Sequence, residues 1–318
     1  MAAQSANDLQ VFHQSNSLRE CLGVPPRGRI IVAPNLGRLA VISTPIGNLG
    51  DLSPRARDEL AAAELVAAED TRRTGQLLTT LGLSRPLVSL HEHNEHERID
   101  ELLEKLRAGA RIALVSDAGT PLLSDPGFEL VRRVTQEGMS VVAVPGPSAI
   151  TAALSIAGLP TERFSFEGFL PARLAERRAR IAELASESRT LVFFEAPHRI
   201  AESLEDLAAG FGISRRAAVA RELTKVFETV YRGTLGELEK QARSDPNFTR
   251  GEITVVIEGA PRAAADAAPR AQLDATLNVL LSELAPSKAA ALAARLTGAK
   301  RNDAYARALE LSKGEKQP

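Results

Sequence analysis

LVSDAGTPLLSDPG, residues Leu114–Gly127, starts as a strand and changes character at once. Ile112, Ala113, Leu114 and Val115 form an unbroken apolar run, whereas Ser116-Asp117-Ala118-Gly119-Thr120-Pro121 and Ser124-Asp125-Pro126-Gly127 are small, polar and turn-forming. Two turns before a helix is more chain than an ordinary strand-to-helix connection needs. Glycine lets a backbone approach a ligand closely, so a loop of this shape reads as a ligand cradle, with a plain connection as the alternative. Asp125-Pro126 looks like a helix start, with Asp as cap and Pro at the first helical position.

Working outward, the same rhythm repeats from Arg38 onward. Leu39–Ile42, Glu64–Glu69, Pro86–Leu90, Ile112–Val115 and Val141–Val144 read as strands, each followed by a helical segment. Ser53-Pro54, Asp70 and Asn94 supply helix-start signals. Near-continuous apolar strands alternating with helices predict a mostly parallel sheet covered on both faces, with ligands bound beyond the strands' carboxyl ends. The unusual loops TPIGN, AEDTRR, HEHNEH, SDAGTP and PGPSA all follow strands. They therefore crowd one edge of one sheet.

After Gly158-Leu159-Pro160 the alternation breaks, and strands outnumber helices. The expected organisation is a disordered tail over 1–37, an α/β domain over 38–158, a second α+β domain with a mixed sheet over 159–260, an Ala/Pro linker over 261–270 and a helical module over 271–318. The 318 residues carry 44% hydrophobic and 25% charged residues with a net charge of -1, so no global field advertises an acidic partner. Cys21 is the lone cysteine, which excludes a disulfide framework and fits a reducing cytoplasm. No apolar run reaches the roughly 20 residues of a membrane span.

Common catalytic signatures fail. There is no G-x-x-x-x-G-K-[ST], no G-x-G-x-x-G after the first strand and no G-x-S-x-G. His91, His93 and His96 meet on a metal only in a bent loop, and no cysteines back them, so no metal is expected. Ser116 and Ser148 have no histidine partner in a recognisable pattern.

TPIGNLGD (Thr44–Asp51), AAEDTRRT (Ala67–Thr74), HEHNE (His91–Glu95), SDAGTPLLSDPG (Ser116–Gly127), VPGPSA (Val144–Ala149), FEGFLPA (Phe166–Ala172), FFEAPHR (Phe193–Arg199), RELTK (Arg221–Lys225) and GEITVVIEG (Gly251–Gly259) occur in this order. Together they resemble the ribosomal RNA small-subunit methyltransferase I family, within the wider tetrapyrrole-methylase-like class. AAEDTRRT, FEGFLPA and RELTK carry the narrower resemblance, whereas VPGPSA is shared across the class. The resemblance implies two α/β domains of the tetrapyrrole-methylase type, a class III S-adenosylmethionine methyltransferase fold, with a small C-terminal helical appendage. It implies S-adenosylmethionine-dependent 2′-O-methylation of a decoding-centre cytidine in 16S rRNA of the small ribosomal subunit, by a cytoplasmic homodimer. A tetrapyrrole or other substrate on the same fold, or a ribosome-binding protein without activity, are the competing readings.

By the same resemblance the cofactor lies against Pro45, Ser116, Asp117, Gly119, Thr120, Leu123, Ser148 and Ala149, with Phe194, Leu223 and Thr254 closing over it from the second domain. Small residues admit an adenosyl group, and N–H groups at a helix start can bind its carboxylate. A ribose hydroxyl is a poor nucleophile, so a proton acceptor is expected. Glu69, Glu222 and Lys225 are candidates, and Asp70 has a competing role as a helix cap. Arg72, Arg173, Arg177, Arg178 and Arg199 are candidate RNA contacts, although a solvated arginine face is the ordinary reading of such a run. Lys288, Arg295, Lys300 and Arg301 place further positive charge on the C-terminal helices. With no Trp and two Tyr, base stacking on aromatics is expected to be limited.

Overall fold

The computed structural model of the chain describes residues 37–91, 95–261 and 267–314. The tail expected over 1–37 falls outside this set except for Gly37, and so do His93 and the Asn94 cap.

Five parallel strands, β1 (Arg38–Ile42), β2 (Leu65–Ala68), β3 (Leu87–Ser89), β4 (Arg111–Val115) and β5 (Ser140–Val144), form the first sheet in the order β3-β2-β4-β1-β5. Helices α1 (Pro54–Ala62), α2 (Thr71–Thr80), α3 (Glu95–Arg107) and α4 (Phe128–Gln136) cover it. Local signals set their starts. Ser53 accepts the Ala56 N–H at 3.1 Å, and Asp70 accepts the Arg72 N–H at 2.8 Å. Helix α1, which follows β1, buries Ala56 and Leu60 on one face of the sheet, while α4, which follows β4, buries Leu130 and Val134 on the other. Adjacent strands β1 and β4 thus send their chains to opposite faces, which opens a crevice beyond their carboxyl ends. An antiparallel bridge between Thr44 and Gly119 lies across that edge.

The start of α4 corrects the reading of Asp125-Pro126. The cap position belongs to Gly127, with a φ of 114°. A Cβ there would lie 2.9 Å from Leu114 Cδ2, so only glycine lets the chain pass this close to β4. The helix begins after that crossing, and Asp125 is released from capping.

The second sheet contains β6 (Phe164–Phe169), β7 (Thr190–Glu195), β8 (Arg216–Arg221), β9 (Thr229–Thr234) and β10 (Ile253–Ile257) in the order β6-β7-β10-β8-β9. It is mixed: β6 runs parallel to β7, and every other pairing is antiparallel. Phe193, Val219 and Val255 pack on one face with α6 (Leu174–Leu184), α7 (Ile200–Phe211) and α8 (Leu235–Ser244). On the other face, Val192, Ala218, Ala220 and Val256 meet α5 (Ala149–Ala157) through Ile150, Ala153, Leu154 and Ala157. The small residues of α5 let that helix lie flat on a sheet belonging to the other domain. This apolar seam joins the two domains, and Leu154→Ala is expected to cost about 2–5 kcal/mol.

Helices α9 (Ala267–Leu281), α10 (Pro286–Thr297) and α11 (Arg301–Gly314) pack around Leu277, Ala289, Ala293, Ala304 and Ala308. Helix α9 begins inside the stretch 261–270 expected to be a linker. Alanine richness, which marked that stretch as a linker, is also high helix propensity.

Candidate active site

A cavity of about 390 Å³ lies where the crevice of the first sheet faces the second domain. Ile46, Glu69, Arg73, Asp117, Ala118, Ser124, Asp125 and Ala149 line it from the first domain, and Phe169, Phe194, Glu195, Leu223, Gly251 and Thr254 from the second. A narrower recess of about 70 Å³, lined by Gly119, Thr120, Leu123 and Ser148, shares Ile46, Ala118, Asp125, Ala149 and Phe194 with it. Most of the residues expected around a cofactor are therefore brought together. Pro45 and Ser116 are not: neither lines the cavity or the recess, and Ser116 is buried with its hydroxyl directed at the Ala118 carbonyl, 3.4 Å away.

Backbone strain marks the same place. Among the described residues, the non-glycine positions with left-handed φ are Leu122 (73°), Ser124 (70°), Glu222 (53°) and Thr224 (64°). They sit in the two loops that supply Ser124 and Leu223 to the cavity. Such conformations cost roughly 1–3 kcal/mol each and persist where the surroundings hold them. A Cβ on Gly119 (φ 82°) would come 3.3 Å from Ile46 Cγ2, so this glycine keeps the recess open.

Three carboxyl groups converge on the first-domain wall. The Asp117 carboxylate accepts the Asp70 N–H at 3.0 Å and pairs with Arg73 at 3.2 Å, and the Asp117 N–H points at Glu69 Oε2 at 3.4 Å. Burial pushes the Glu69 carboxyl above its ordinary range, and the charge of Asp117 adds to the rise. Burial, reinforced by the charge of Glu69, raises Asp125 to about 6. Asp125 was missed in the sequence because Asp-Pro reads as a cap. The signal that would have found it is the Gly127 that follows.

Glu222 and Lys225 form a strut instead. Lys225 Nζ lies 2.8 Å from Glu222 Oε1 and 3.3 Å from Glu252 Oε2, and Glu222 Oε1 also accepts the Glu252 N–H at 2.9 Å. Burial alone would raise Glu222, but these bonds hold it below its ordinary range; Lys225 is likewise held above its own by the two carboxylates. The lysine stem lies over Gly47, where a Cβ would be 2.2 Å from Lys225 Cγ. Neither side chain lines the cavity.

The arginines divide. Arg72 is turned outward and bound to Asp70 through Nε and a terminal nitrogen; Arg173 is exposed beside Glu176; Arg178 is exposed but shares Asp206. Arg177 contradicts the expectation of an RNA contact. It is 3% exposed, and its Nε donates to Asp206 Oδ2 at 2.7 Å. Position 177 falls on the inward stripe of α6 with Ile181 and Leu184, so helical periodicity draws this one member of the run into the protein. Arg199 is also structural. Its terminal nitrogen donates to the Leu170 and Pro171 carbonyls at 2.7 and 3.1 Å.

A profile of the family described as tetrapyrrole (corrin/porphyrin) methylases matches residues 38–239, and one described as the RsmI C-terminal HTH domain matches 267–312. Proteins named ribosomal RNA small subunit methyltransferase I are similar over most of their length. The one from Xylella fastidiosa strain Temecula1 is 53% identical over 269 residues, 85% of this chain and 98% of that one. Those from Pseudomonas aeruginosa and Escherichia coli O157:H7 are 50% and 48% identical, each over 86% of this chain and over 97% and 95% of their own. The chain belongs to the ribosomal RNA small subunit methyltransferase I family. Solved structures of the methyltransferase CobJ (TM-score 0.54, 19% identity, 70% of this chain and 95% of that one) and of a cobalt precorrin-4 methyltransferase (TM-score 0.50, 17% identity, 70% and 94%) share the fold. In this member of the methyltransferase I family, Gly298 (φ 73°) opens the short turn between α10 and α11, a place where helix-turn-helix motifs often carry glycine.

Proposed function

We propose that this chain transfers a methyl group from S-adenosylmethionine to the 2′-oxygen of a cytidine ribose in the decoding region of small-subunit ribosomal RNA. The observation that carries the reading is an interdomain cavity that shares its lining with a small-residue recess at a helix start and is walled by two carboxyl groups pushed upward in pKa. The choice of ribosomal RNA rests on the names of the relatives; the 2′-oxygen and the cytidine rest on the motifs.

The residues present fit the cofactor. The cavity falls within the roughly 300–1,000 Å³ usual for small-molecule sites. Gly119, Thr120, Leu123, Ser148 and Ala149 would hold it on one side, and Phe194, Leu223 and Thr254 on the other. The Ser148 side chain does not cap α5, which leaves the first-turn N–H groups of that helix available to a carboxylate. Bound S-adenosylmethionine supplies a methyl group on a sulfonium, a leaving group that needs no further activation. What the chain must add is orientation of the ribose and a place for its hydroxyl proton. Asp125 and Glu69 are suited to that second task, because a general base works best with a pKa close to the working pH. Glu222 and Lys225 are assigned the structural task of tying the Arg221–Lys225 loop to Gly47. A homodimer in solution belongs to the same proposal: the adjacent exposed Val226 and Phe227 of the second domain are surface that a second copy would bury. Among the described residues no helix is long and apolar enough to cross a membrane.

The test is methyl transfer from labelled S-adenosylmethionine to small subunits isolated without the modification, with the product nucleosides separated. Recovery of 2′-O-methylcytidine is expected. Label on a base atom, or no transfer by a protein that binds S-adenosylhomocysteine, overturns the assignment. Asp125→Asn or Glu69→Gln should abolish most turnover while Glu222→Gln keeps turnover at the level its stability permits.

A further inference from the structure

Ordinary strand alternation would send Phe166 and Phe169 of β6 to opposite faces of the sheet. The register against β7 shifts between these two residues, and Gly168 takes a left-handed φ of 68°. This is a bulge, a device that re-aims a side chain. The extra residue sets Phe169 opposite Phe194, on the face that already carries Phe166. The three rings form a cluster, with centroids 4.8 Å apart for Phe166–Phe194 and 5.7 Å for Phe169–Phe194. Phe169 lines the cavity yet remains 54% exposed.

The ring is also held from behind. Leu170 is buried in the second-domain core, and Arg199 ties down the carbonyls of Leu170 and Pro171. A Cβ on Gly168 would lie 3.4 Å from Ser124 Oγ, so the bulge stands against the first-domain loop that carries Asp125. One side of the ring packs on Phe194, but the half that stays exposed at the cavity wall is surface that core packing does not use. Its flat apolar surface suits another planar group.

We infer that Phe169 is the stacking platform for the base of the target nucleotide, and that it seats the attached ribose in the cavity. This assignment rests on the function proposed above. Bases in single-stranded RNA are taken up by stacking on aromatic side chains, and an enzyme acting on a stacked nucleotide gains from a ring that replaces its lost neighbour. The cofactor's adenine is the other planar group that would use such a ring, and the experiment separates the two.

Full-length wild type, Phe169→Ala, Phe169→Leu and Phe169→Tyr are compared for methyl transfer to undermodified small subunits and for S-adenosylhomocysteine affinity by calorimetry. Loss of a stacked base costs about 5- to 150-fold, so Phe169→Ala should raise the KM for small subunits by that order. Its affinity for S-adenosylhomocysteine and its melting temperature should match wild type. Phe169→Tyr should restore the KM, and Phe169→Leu should not. An unchanged KM for small subunits in Phe169→Ala beside active wild type overturns this assignment alone. Weakened S-adenosylhomocysteine binding also overturns it, by giving the ring to the cofactor, and full activity of Phe169→Leu overturns it in favour of plain apolar packing. Wild type that methylates no small subunit removes the proposed function itself, and this assignment with it.

Discussion

Replacing Asp125 by Asn tests whether the cavity wall holds a carboxyl group at an energetic disadvantage. Burial, with the neighbouring charge of Glu69, raises this group from an ordinary value of 3.8 to about 6. A carboxyl raised on folding stabilises the fold most when it is protonated. That contribution is fully present below pH 3.8 and is lost as the pH rises through about 6. Undiminished, the difference corresponds to ~3 kcal/mol. Asp125 is only partly buried, and solvent screening reduces the figure to about 1–2 kcal/mol. Asparagine keeps the shape and never ionises. Asp125→Asn should therefore be more stable than wild type at pH 8 and nearly equal to it at pH 4. The expected rise in melting temperature at the higher pH is about 2–5 °C. Thermal melts of both proteins at intervals between these limits give the curve, which should open above pH 3.8 and level off as the pH passes about 6. A gap that stays constant with pH, or one that opens toward acid, would falsify the electrostatic account of this site.

Arg177→Ala should destabilise the chain by about 1.5–3 kcal/mol, because it removes the buried member of the two arginines that bond Asp206 and leaves exposed Arg178 alone on it, whereas Arg178→Ala should cost less than about 1 kcal/mol; equal effects in urea melts would show the pair to be wrongly ranked. Gly119→Val places a branched side chain at a φ of 82° and against Ile46 Cγ2, so binding of S-adenosylhomocysteine should be lost in calorimetry while the far-ultraviolet circular dichroism is retained. If Asp125 takes the ribose proton, kcat/KM for methyl transfer should fall tenfold per pH unit on the acid side of a pKa of about 6, and a flat profile from pH 5 to 8 would exclude it. Ending the chain at Pro261 removes α9–α11 and their separate core, and should leave S-adenosylhomocysteine affinity intact while weakening RNA binding and flattening its salt dependence. Full RNA affinity in the truncated protein would make those helices a packing module only.

The residues alone determined the order of strands and helices, the break in rhythm near Gly158 and the clustering of the strand-end loops. These follow from local apolar runs and turn chemistry, which act within a few residues. Ser53 and Asp70 cap their helices as their positions in the sequence require. The break from strand to loop at Ser116–Leu123 was legible for the same reason: two glycines and two prolines lie between an apolar strand and a helix. What tertiary structure decided is whatever depends on a partner distant in sequence. The reach of Asp125 into the cavity follows from the close passage of Gly127 over Leu114. The retirement of Glu222 and Lys225 into a strut needs Gly47 and Glu252, far away in the chain. The burial of Arg177 needs Asp206 on another helix, and the turning of Phe169 needs the register of β6 on β7. A composition without Trp concealed that last feature, because one ring on a bulge does what a count of aromatics cannot reveal. Periodicity assigns a side chain to a face; only the packing of one element on another decides whether that face meets solvent, a core or a cavity.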